Sequence, residues 1–181
     1  MRGALRCPLV LALALVAGSA ANAGTPGAAA WVTRADADRA LATFTATDLD
    51  GRRWTARDMH GRVVLLDFWA TWCAPCLAEL PRLKRLYAAY RRAGFEILGI
   101  SLDAMSRRAF VSWLNRQRVD WPQIHERTGY GGRTARHFAI DRLPRTMLVA
   151  RDGRIAAVDV RGEELETLVE RLLAEGDRHH R

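Results

Sequence analysis

Cysteine is scarce in this chain, which has three cysteines among 181 residues. Cys7 lies close to the start, so Cys73 and Cys76 are the two that remain for a folded domain. A structural disulfide usually closes a long loop, because the stabilisation that it gives grows with loop length. A bridge between Cys73 and Cys76 would close a very short loop and would stabilise little. The scarcity of cysteine therefore excludes a disulfide framework and indicates that this pair serves chemistry.

A second cysteine pair is also missing, which argues against a structural zinc site. Zinc takes four ligands, usually two cysteine pairs or one pair with added histidines. The five histidines lack ligand spacing, because three are scattered along the chain and the other two lie together near its end. The sequence therefore predicts neither a bound metal nor another cofactor.

Lysine is nearly absent: Lys84 is the one lysine among 28 basic residues, against 20 acidic residues, and the formal net charge is +8. The chain has no dense basic stripe with interleaved aromatic residues and no nucleic-acid motif, so we expect no nucleic-acid partner. An arginine-rich surface mildly favours acidic partners. A hydrophobic fraction of 49% and a charged fraction of 27% are typical of a globular domain.

The N-terminus carries the longest uncharged stretch, and its first 23 residues have the three parts of an export signal. Arg2 and Arg6 precede a short apolar run over residues 8–17, and Ala21-Asn22-Ala23 fits the small-x-small cleavage pattern. We expect a signal peptide over residues 1–23, its cleavage, and a periplasmic location. The alternative is an uncleaved membrane anchor, because no charge appears between Cys7 and Thr33 and that stretch is long enough to span a bilayer.

The remaining chain is predicted to contain a flexible lead-in over residues 24–40, one domain over 41–175 and a polar tail over 176–181. Short apolar runs alternate with amphipathic segments, which predicts the order β-hairpin, β, α, β, α, β, α, β, β, α. The predicted strands cover 43–54 (a hairpin), 63–69, 95–102, 121–124, 146–149 and 154–158, and the predicted helices cover 77–92, 106–117, 133–138 and 163–175. This order indicates an α/β domain with a central mixed sheet flanked by helices.

The Cys-x-x-Cys pair falls between a predicted buried strand and a predicted helix. A helix N-terminus favours negative charge, so this position should lower the pKa of the Cys73 thiol and make it the attacking thiolate. Cys76 comes one turn later and should be more buried. We therefore expect an exposed nucleophile, Cys73, and a resolving thiol, Cys76, that releases a mixed disulfide. Pro75 fits the first helical turn, where no backbone N–H is needed.

The segment Phe68-Trp69-Ala70-Thr71-Trp72-Cys73-Ala74-Pro75-Cys76 resembles the active site of the thioredoxin superfamily, in particular its exported TlpA/ResA-like branch. Residues 77–81 continue the pattern of that branch, and Leu143-Pro144-Arg145-Thr146 resembles the segment that carries its cis-proline. The resemblance covers residues 41–175. It implies a thioredoxin-like fold with an N-terminal β-hairpin and a central insertion, which we place at residues 106–117.

The resemblance also implies roles for individual residues. Pro144 should be cis, which would expose the backbone of Leu143 to an extended partner chain beside Cys73. Trp72 should lie beside the disulfide and shape the docking surface. Asp67 should be a buried carboxyl behind the second cysteine, and burial would raise its pKa so that it can take a proton from that thiol, directly or through water. The alternative for Asp67 is a solvated residue at a strand end.

Two further charged residues lie near the implied site. Glu79, expected in the first turn of the helix, either complements the helix dipole or modulates the site electrostatically. Arg145 follows the expected cis-proline and either contacts acidic partners or is another surface arginine, and the second interpretation is slightly favoured.

These residues predict an exported thiol-disulfide oxidoreductase that acts on cysteine pairs of other proteins. Ala74-Pro75 is similar to the Gly-Pro of reducing thioredoxins, which with Asp67 favours reduction. A reductase in an oxidising compartment needs electrons from outside it, so we expect a membrane thiol relay as electron donor. The family implies apocytochrome c as one substrate, and we expect a monomer. A copper-delivery or redox-sensing module of the same fold remains open. A thiol peroxidase remains a second alternative, although Ala70 stands where that chemistry usually needs threonine.

Overall fold

The structure is a computed structural model that describes residues 32–178. The predicted signal peptide, the first part of the predicted lead-in and the last residues of the polar tail lie outside the described residues. In the described part of the chain, none of the helices combines the length and the apolar character that crossing a membrane requires.

A five-stranded mixed sheet forms the centre of the fold, with a separate two-stranded hairpin before it. The strands are β1 (Thr45–Thr47), β2 (Arg53–Thr55), β3 (Val63–Trp69), β4 (Phe95–Ser101), β5 (Gln123–His125), β6 (Arg145–Val149) and β7 (Ile155–Val158). The order across the main sheet is β5-β4-β3-β6-β7, with β3, β4 and β5 parallel and β6 antiparallel to both of its neighbours. Every residue of the central strand β3 is buried, which is typical of a strand covered on both faces.

Within residues 32–178, six α-helices connect and cover the strands: α1 (Arg34–Ala42), α2 (Ala56–Met59), α3 (Ala74–Tyr90), α4 (Arg107–Gln117), α5 (Arg133–His137) and α6 (Gly162–Arg178). Ser106 caps α4 by accepting the N–H of Ala109, at the position that the sequence predicts. The leucines and the valine of α6 face the sheet as its apolar period predicts, with Leu165, Val169 and Leu173 buried. The thioredoxin-like α/β fold is confirmed, including the N-terminal hairpin.

The predicted lead-in is wrong from residue 34 onward, because Arg34–Ala42 forms α1. Thr33 and Asp36 make a reciprocal capping box at its start, and Ala37 and Leu41 are buried against the domain. The alanine-rich sequence shows little apolar periodicity, and the helix is held by tertiary contacts that the sequence does not display. The predicted tail is also too long, because α6 continues to Arg178.

Candidate active site

Cys73 and Cys76 form a disulfide at the start of α3, directly after the central strand β3. Cys73 is the N-cap residue of this 17-residue helix, and its Sγ accepts the backbone N–H of Cys76 at 3.3 Å. Pro75 lies in the first turn, where its missing N–H leaves no helical hydrogen bond unmade. The N–H of Cys76, at the start of α3, therefore points toward the sulfur that the sequence assigns as nucleophile.

The expected contrast in exposure between the two cysteines is wrong for this disulfide-bonded form. Cys73 is 5% exposed and Cys76 is 7% exposed. The disulfide holds both sulfur atoms together against the helix start, so neither side chain extends into solvent. The asymmetry that the structure does show is positional, because Cys73 caps the helix whereas Cys76 lines a cavity inside the domain.

Asp103 holds the loop that carries the disulfide, a role that the sequence analysis missed. Its carboxylate accepts the N–H of Thr71 at 3.0 Å and the hydroxyl of Thr71 at 2.6 Å. The hydroxyl of Ser101, at the end of β4, donates to the same carboxylate at 2.9 Å. Asp103 is almost fully buried, so these bonds fix the turn between β3 and Cys73. A polar residue just beyond a buried parallel strand was the available signal.

A cavity of about 10 Å³, close to the minimum for one water molecule, lies behind the disulfide. Asp67 of β3 and Cys76 of α3 line it together, as do Glu79, Pro144, Thr146 and Arg161. Burial raises the pKa of Asp67 to about 7; the positive charge of Arg161 opposes this shift and the negative charge of Glu79 adds to it. Asp67 is therefore not a solvated strand-end residue but a buried acid that titrates near neutral pH.

Glu79 does not lie in the first turn of the helix, so the expected dipole complement is wrong. The helix begins at Ala74, earlier than the apolar period predicts, which places Glu79 in the second turn. Its side chain lines the cavity, and its Oε2 accepts the N–H of Gly162 at 3.3 Å. What remains of the prediction is the electrostatic effect on Asp67.

The Leu143–Pro144 peptide bond is cis, as the resemblance implies. Pro144 lines the same cavity as Cys76, so the loop before β6 faces the disulfide. Leu143 is partly exposed beside it. The carbonyl oxygen of Pro144 accepts a hydrogen bond from Nη2 of Arg161 at 2.6 Å. No motif in the sequence points to Arg161, which is distant in the chain from both cysteines and from the proline.

Arg145 is fully buried, so it is neither a surface arginine nor a contact for acidic partners. Its Nη1 donates to Oδ2 of Asp159 at 2.6 Å, and its Nη2 donates to Oδ1 of Asp141 at 3.1 Å. These two carboxylates compensate the cost of burying the guanidinium. The sequence does not show this pairing, because Asp159 comes from the far end of the β6–β7 hairpin.

Trp72 and Tyr130 are the exposed large hydrophobic side chains of the described residues, at 59% and 40%. Their ring centroids are 6.4 Å apart, so they form one aromatic patch directly beside Cys73. The sequence analysis placed Trp72 at the site but missed Tyr130, which lies in a glycine-rich turn before α5.

Among the described residues, we find neither the hydroxyl that a thiol peroxidase usually needs at Ala70 nor a group of side chains that could bind a metal ion. Ala70, where a thiol peroxidase usually has threonine, is buried and carries no hydroxyl. Between residues 32 and 178, no three His, Cys, Asp or Glu side chains are grouped so that they could hold a metal ion.

A disulfide that begins the helix after the central strand, faced by a cis-proline, defines the class of thioredoxin-fold thiol-disulfide oxidoreductases. Residues 37–158 match the model of the AhpC/TSA family. The chain belongs to this family, within its ResA-like thiol-disulfide oxidoreductases.

Several proteins that are similar to this chain are named thiol-disulfide oxidoreductases. The thiol-disulfide oxidoreductase ResA of Halalkalibacterium halodurans is 30% identical over 146 residues, which cover 76% of this chain and 79% of the relative. ResA of Bacillus thuringiensis subsp. konkukian is 29% identical over 130 residues, 72% of each chain. A thiol-disulfide oxidoreductase structure from Bacteroides fragilis has a TM-score of 0.63 at 33% identity, covering 71% of this chain and 96% of the other. The thioredoxin domain of a thiol-disulfide oxidoreductase from Bacteroides vulgatus has a TM-score of 0.62 at 29% identity, covering 72% and 92%.

Proposed function

We propose that this chain is an exported protein-disulfide reductase of the periplasm that acts as a monomer without a cofactor. It takes electrons from a membrane thiol relay and passes them to cysteine pairs of other exported proteins, with apocytochrome c as the first candidate substrate. The observation that carries this proposal is the shared cavity of Asp67 and Cys76, behind a disulfide whose Cys73 caps α3.

Reduction begins at Cys73 of the dithiol form. The N-terminus of α3 stabilises its thiolate, which attacks one sulfur of the partner disulfide. The other partner sulfur leaves as a thiolate and takes up a proton. The product is a mixed disulfide between Cys73 and the partner chain. The exposed Trp72 and Pro75 and the backbone of Leu143 surround this position and are the surfaces that we assign to the partner.

Resolution requires Cys76 to lose its proton. Asp67 takes that proton directly or through one water molecule in the cavity, and a carboxyl that titrates near pH 7 is well matched to this task. The Cys76 thiolate then attacks Sγ of Cys73, and the second partner sulfur leaves. The Cys73–Cys76 disulfide forms again, and two electrons have passed to the partner. Because Cys73 enters as a thiolate, one of the two protons that the partner sulfurs take up comes from solvent, and the other returns from Asp67.

The direction and the location have separate support. Asp67 and the Ala74-Pro75 spacer both resemble reducing thioredoxins, which favours reduction over oxidation. Export is supported by the signal-peptide pattern of residues 1–23. A reductase in an oxidising compartment needs electrons from outside that compartment, and this need is the reason for the proposed membrane relay.

The proposal is tested by trapping the mixed disulfide in cells with Cys76→Ser. This variant should accumulate covalent complexes through Cys73 that dissolve on addition of a reductant, and mass spectrometry of the captured chains should find exported proteins with cysteine pairs. The matched control Cys73→Ser should capture none. Equal capture by both variants, or no capture by Cys76→Ser under conditions in which the wild type is active, would contradict the proposal.

A further inference from the structure

Arg161, which lies between β7 and α6, contacts the cis-proline loop and also lines the cavity behind the disulfide. Its Nη2 donates to the carbonyl oxygen of Pro144 at 2.6 Å. Its side chain also lines the cavity that Asp67 and Cys76 share. One guanidinium therefore connects the cis-proline loop, where a partner chain would lie, with the acid behind the resolving thiol.

Two neighbouring charges act on the ionisation of Asp67, in opposite directions, beside the larger effect of burial. From α3, the negative charge of Glu79 opposes ionisation; from the segment before α6, the positive charge of Arg161 favours it. Strand β6 contributes the uncharged Thr146. Asp159 lies 3.8 Å from Arg161 and partly compensates its charge. Among the described residues that line the cavity, Arg161 is the one cation.

We propose that Arg161 is a positioning residue for the resolving step, which fixes the cis-proline carbonyl and holds a positive charge beside Asp67 while Cys76 loses its proton. The hydrogen bond to Pro144 keeps the guanidinium in place, and its charge stabilises the carboxylate form of Asp67 through space. The proton passes from Sγ of Cys76 to Asp67, and Arg161 determines at which pH Asp67 is able to accept it. This inference rests on the proposed function.

Two substitutions separate the charge from the hydrogen bond. Arg161→Gln keeps an N–H donor for the Pro144 carbonyl and loses the charge, whereas Arg161→Lys keeps the charge. In R161Q we expect the pH midpoint of turnover on a model peptide disulfide to rise by about one pH unit, with a roughly fivefold lower rate at pH 7. The KM should be unchanged in R161Q, and R161K should keep the wild-type midpoint.

The matched control is Arg171→Gln on α6. The Arg171 side chain is 62% exposed and does not line the cavity, and its removal lowers the net charge by the same amount. R171Q should keep both the midpoint and the rate of the wild type. Equal shifts in R161Q and R171Q would show a general effect of net charge and would overturn the inference.

An infrared titration of the Asp67 carboxyl in the purified oxidised protein measures the effect of the Arg161 charge on the ionisation of Asp67 and requires no turnover. Asp67→Asn assigns the band, and the midpoint should be higher in R161Q but not in R161K. Should circular dichroism show that R161Q is unfolded, Arg161→Met removes the charge while retaining the packing of the stem. An unchanged infrared midpoint in the folded neutral variant would overturn the inference. A shifted midpoint in a protein that reduces no disulfide would confirm the effect of the Arg161 charge on Asp67, but it would reject the proposed function and with it the role of Arg161 in resolution.

Discussion

Asp67 and Cys76 line the same water-sized cavity, from neighbouring elements of the fold. Asp67 belongs to the central strand β3, and Cys76 belongs to the first turn of the helix that follows it. The chain thus brings an acid and a thiol together by one strand–turn–helix connection. Asp67 is buried and Cys76 is disulfide-bonded to Cys73, the arrangement on which the proposed resolving step depends.

Replacing Asp67 should change how stability depends on pH. Its folded-state pKa of about 7 exceeds the ordinary value of 3.8, so the folded state holds a proton that the unfolded state has lost. Stability from this group is therefore present below pH 4 and is lost as pH rises toward 7, by about 4 kcal/mol at most. Urea unfolding of oxidised Asp67→Asn should show a gain over the wild type at pH 8 and little gain at pH 4.

The matched control for this prediction is Asp152→Asn in the exposed β6–β7 turn. It should change stability by less than about 0.5 kcal/mol at both pH values. A gain in Asp67→Asn that is the same at pH 4 and pH 8 would contradict a raised pKa for this carboxyl.

Removing the buried guanidinium of Arg145 should destabilise the protein. Arg145→Met takes away the 2.6 Å partner of Asp159, but Asp159 is partly exposed and keeps Arg161 at 3.8 Å, so we expect a loss of about 1–2 kcal/mol. The free energy of unfolding, measured in urea, tests this value. The exposed-site variant Arg171→Met is the control and should be nearly neutral. A similar small effect of both variants would show that the Arg145 pairs contribute no net stability.

Thr71→Val should loosen the loop before the disulfide. Valine keeps the shape of threonine but cannot donate to Asp103, so we expect a loss of about 1–2 kcal/mol in unfolding free energy. Hydrogen exchange of the Thr71–Cys73 amides should also become faster. Thr167→Val, at an exposed position of α6, is the matched control and should leave those amides unchanged. Unaltered exchange in Thr71→Val would contradict the role that we assign to Asp103.

Tyr130 and Trp72 should contribute to the binding of protein partners but not to stability. Tyr130→Ala removes part of an exposed aromatic patch, so KM for a protein disulfide should rise about tenfold, which corresponds to one buried aromatic contact. The kinetics with oxidised glutathione, which is too small to cover the patch, should remain near those of the wild type. Equal effects on both substrates would place Tyr130 in the chemistry rather than in docking.

The fold was largely predictable because local signals and packing agree along most of the chain. The run at Val63–Trp69 is apolar except for Asp67, which indicates a buried central strand, and the periodic leucines of α6 indicate a covering helix. Helix α1 was missed because its short alanine-rich sequence carries little apolar period. Its stability comes from a capping box and from contacts with β7 that are distant in sequence.

The site was predictable where it is local and not where it depends on distant pairing. Cys73 and Cys76 lie within one strand–turn–helix segment, so their spacing placed them together at the helix start. The roles of Asp67 and of the distant Pro144 came from the resemblance to the thioredoxin superfamily. Arg161 comes from the opposite end of the domain. The burial of Arg145 depends on Asp159, and the exposure of Cys73 depends on how the disulfide packs, which no sequence spacing reveals.

The most direct test is to alkylate the reduced protein with iodoacetamide across a range of pH and to follow each cysteine by peptide mass spectrometry. The account predicts that Cys73 reacts first, with a midpoint well below that of an ordinary thiol, while Cys76 stays protected until the protein unfolds. Equal rates at the two cysteines with ordinary midpoints, or faster reaction of Cys76, would contradict the account.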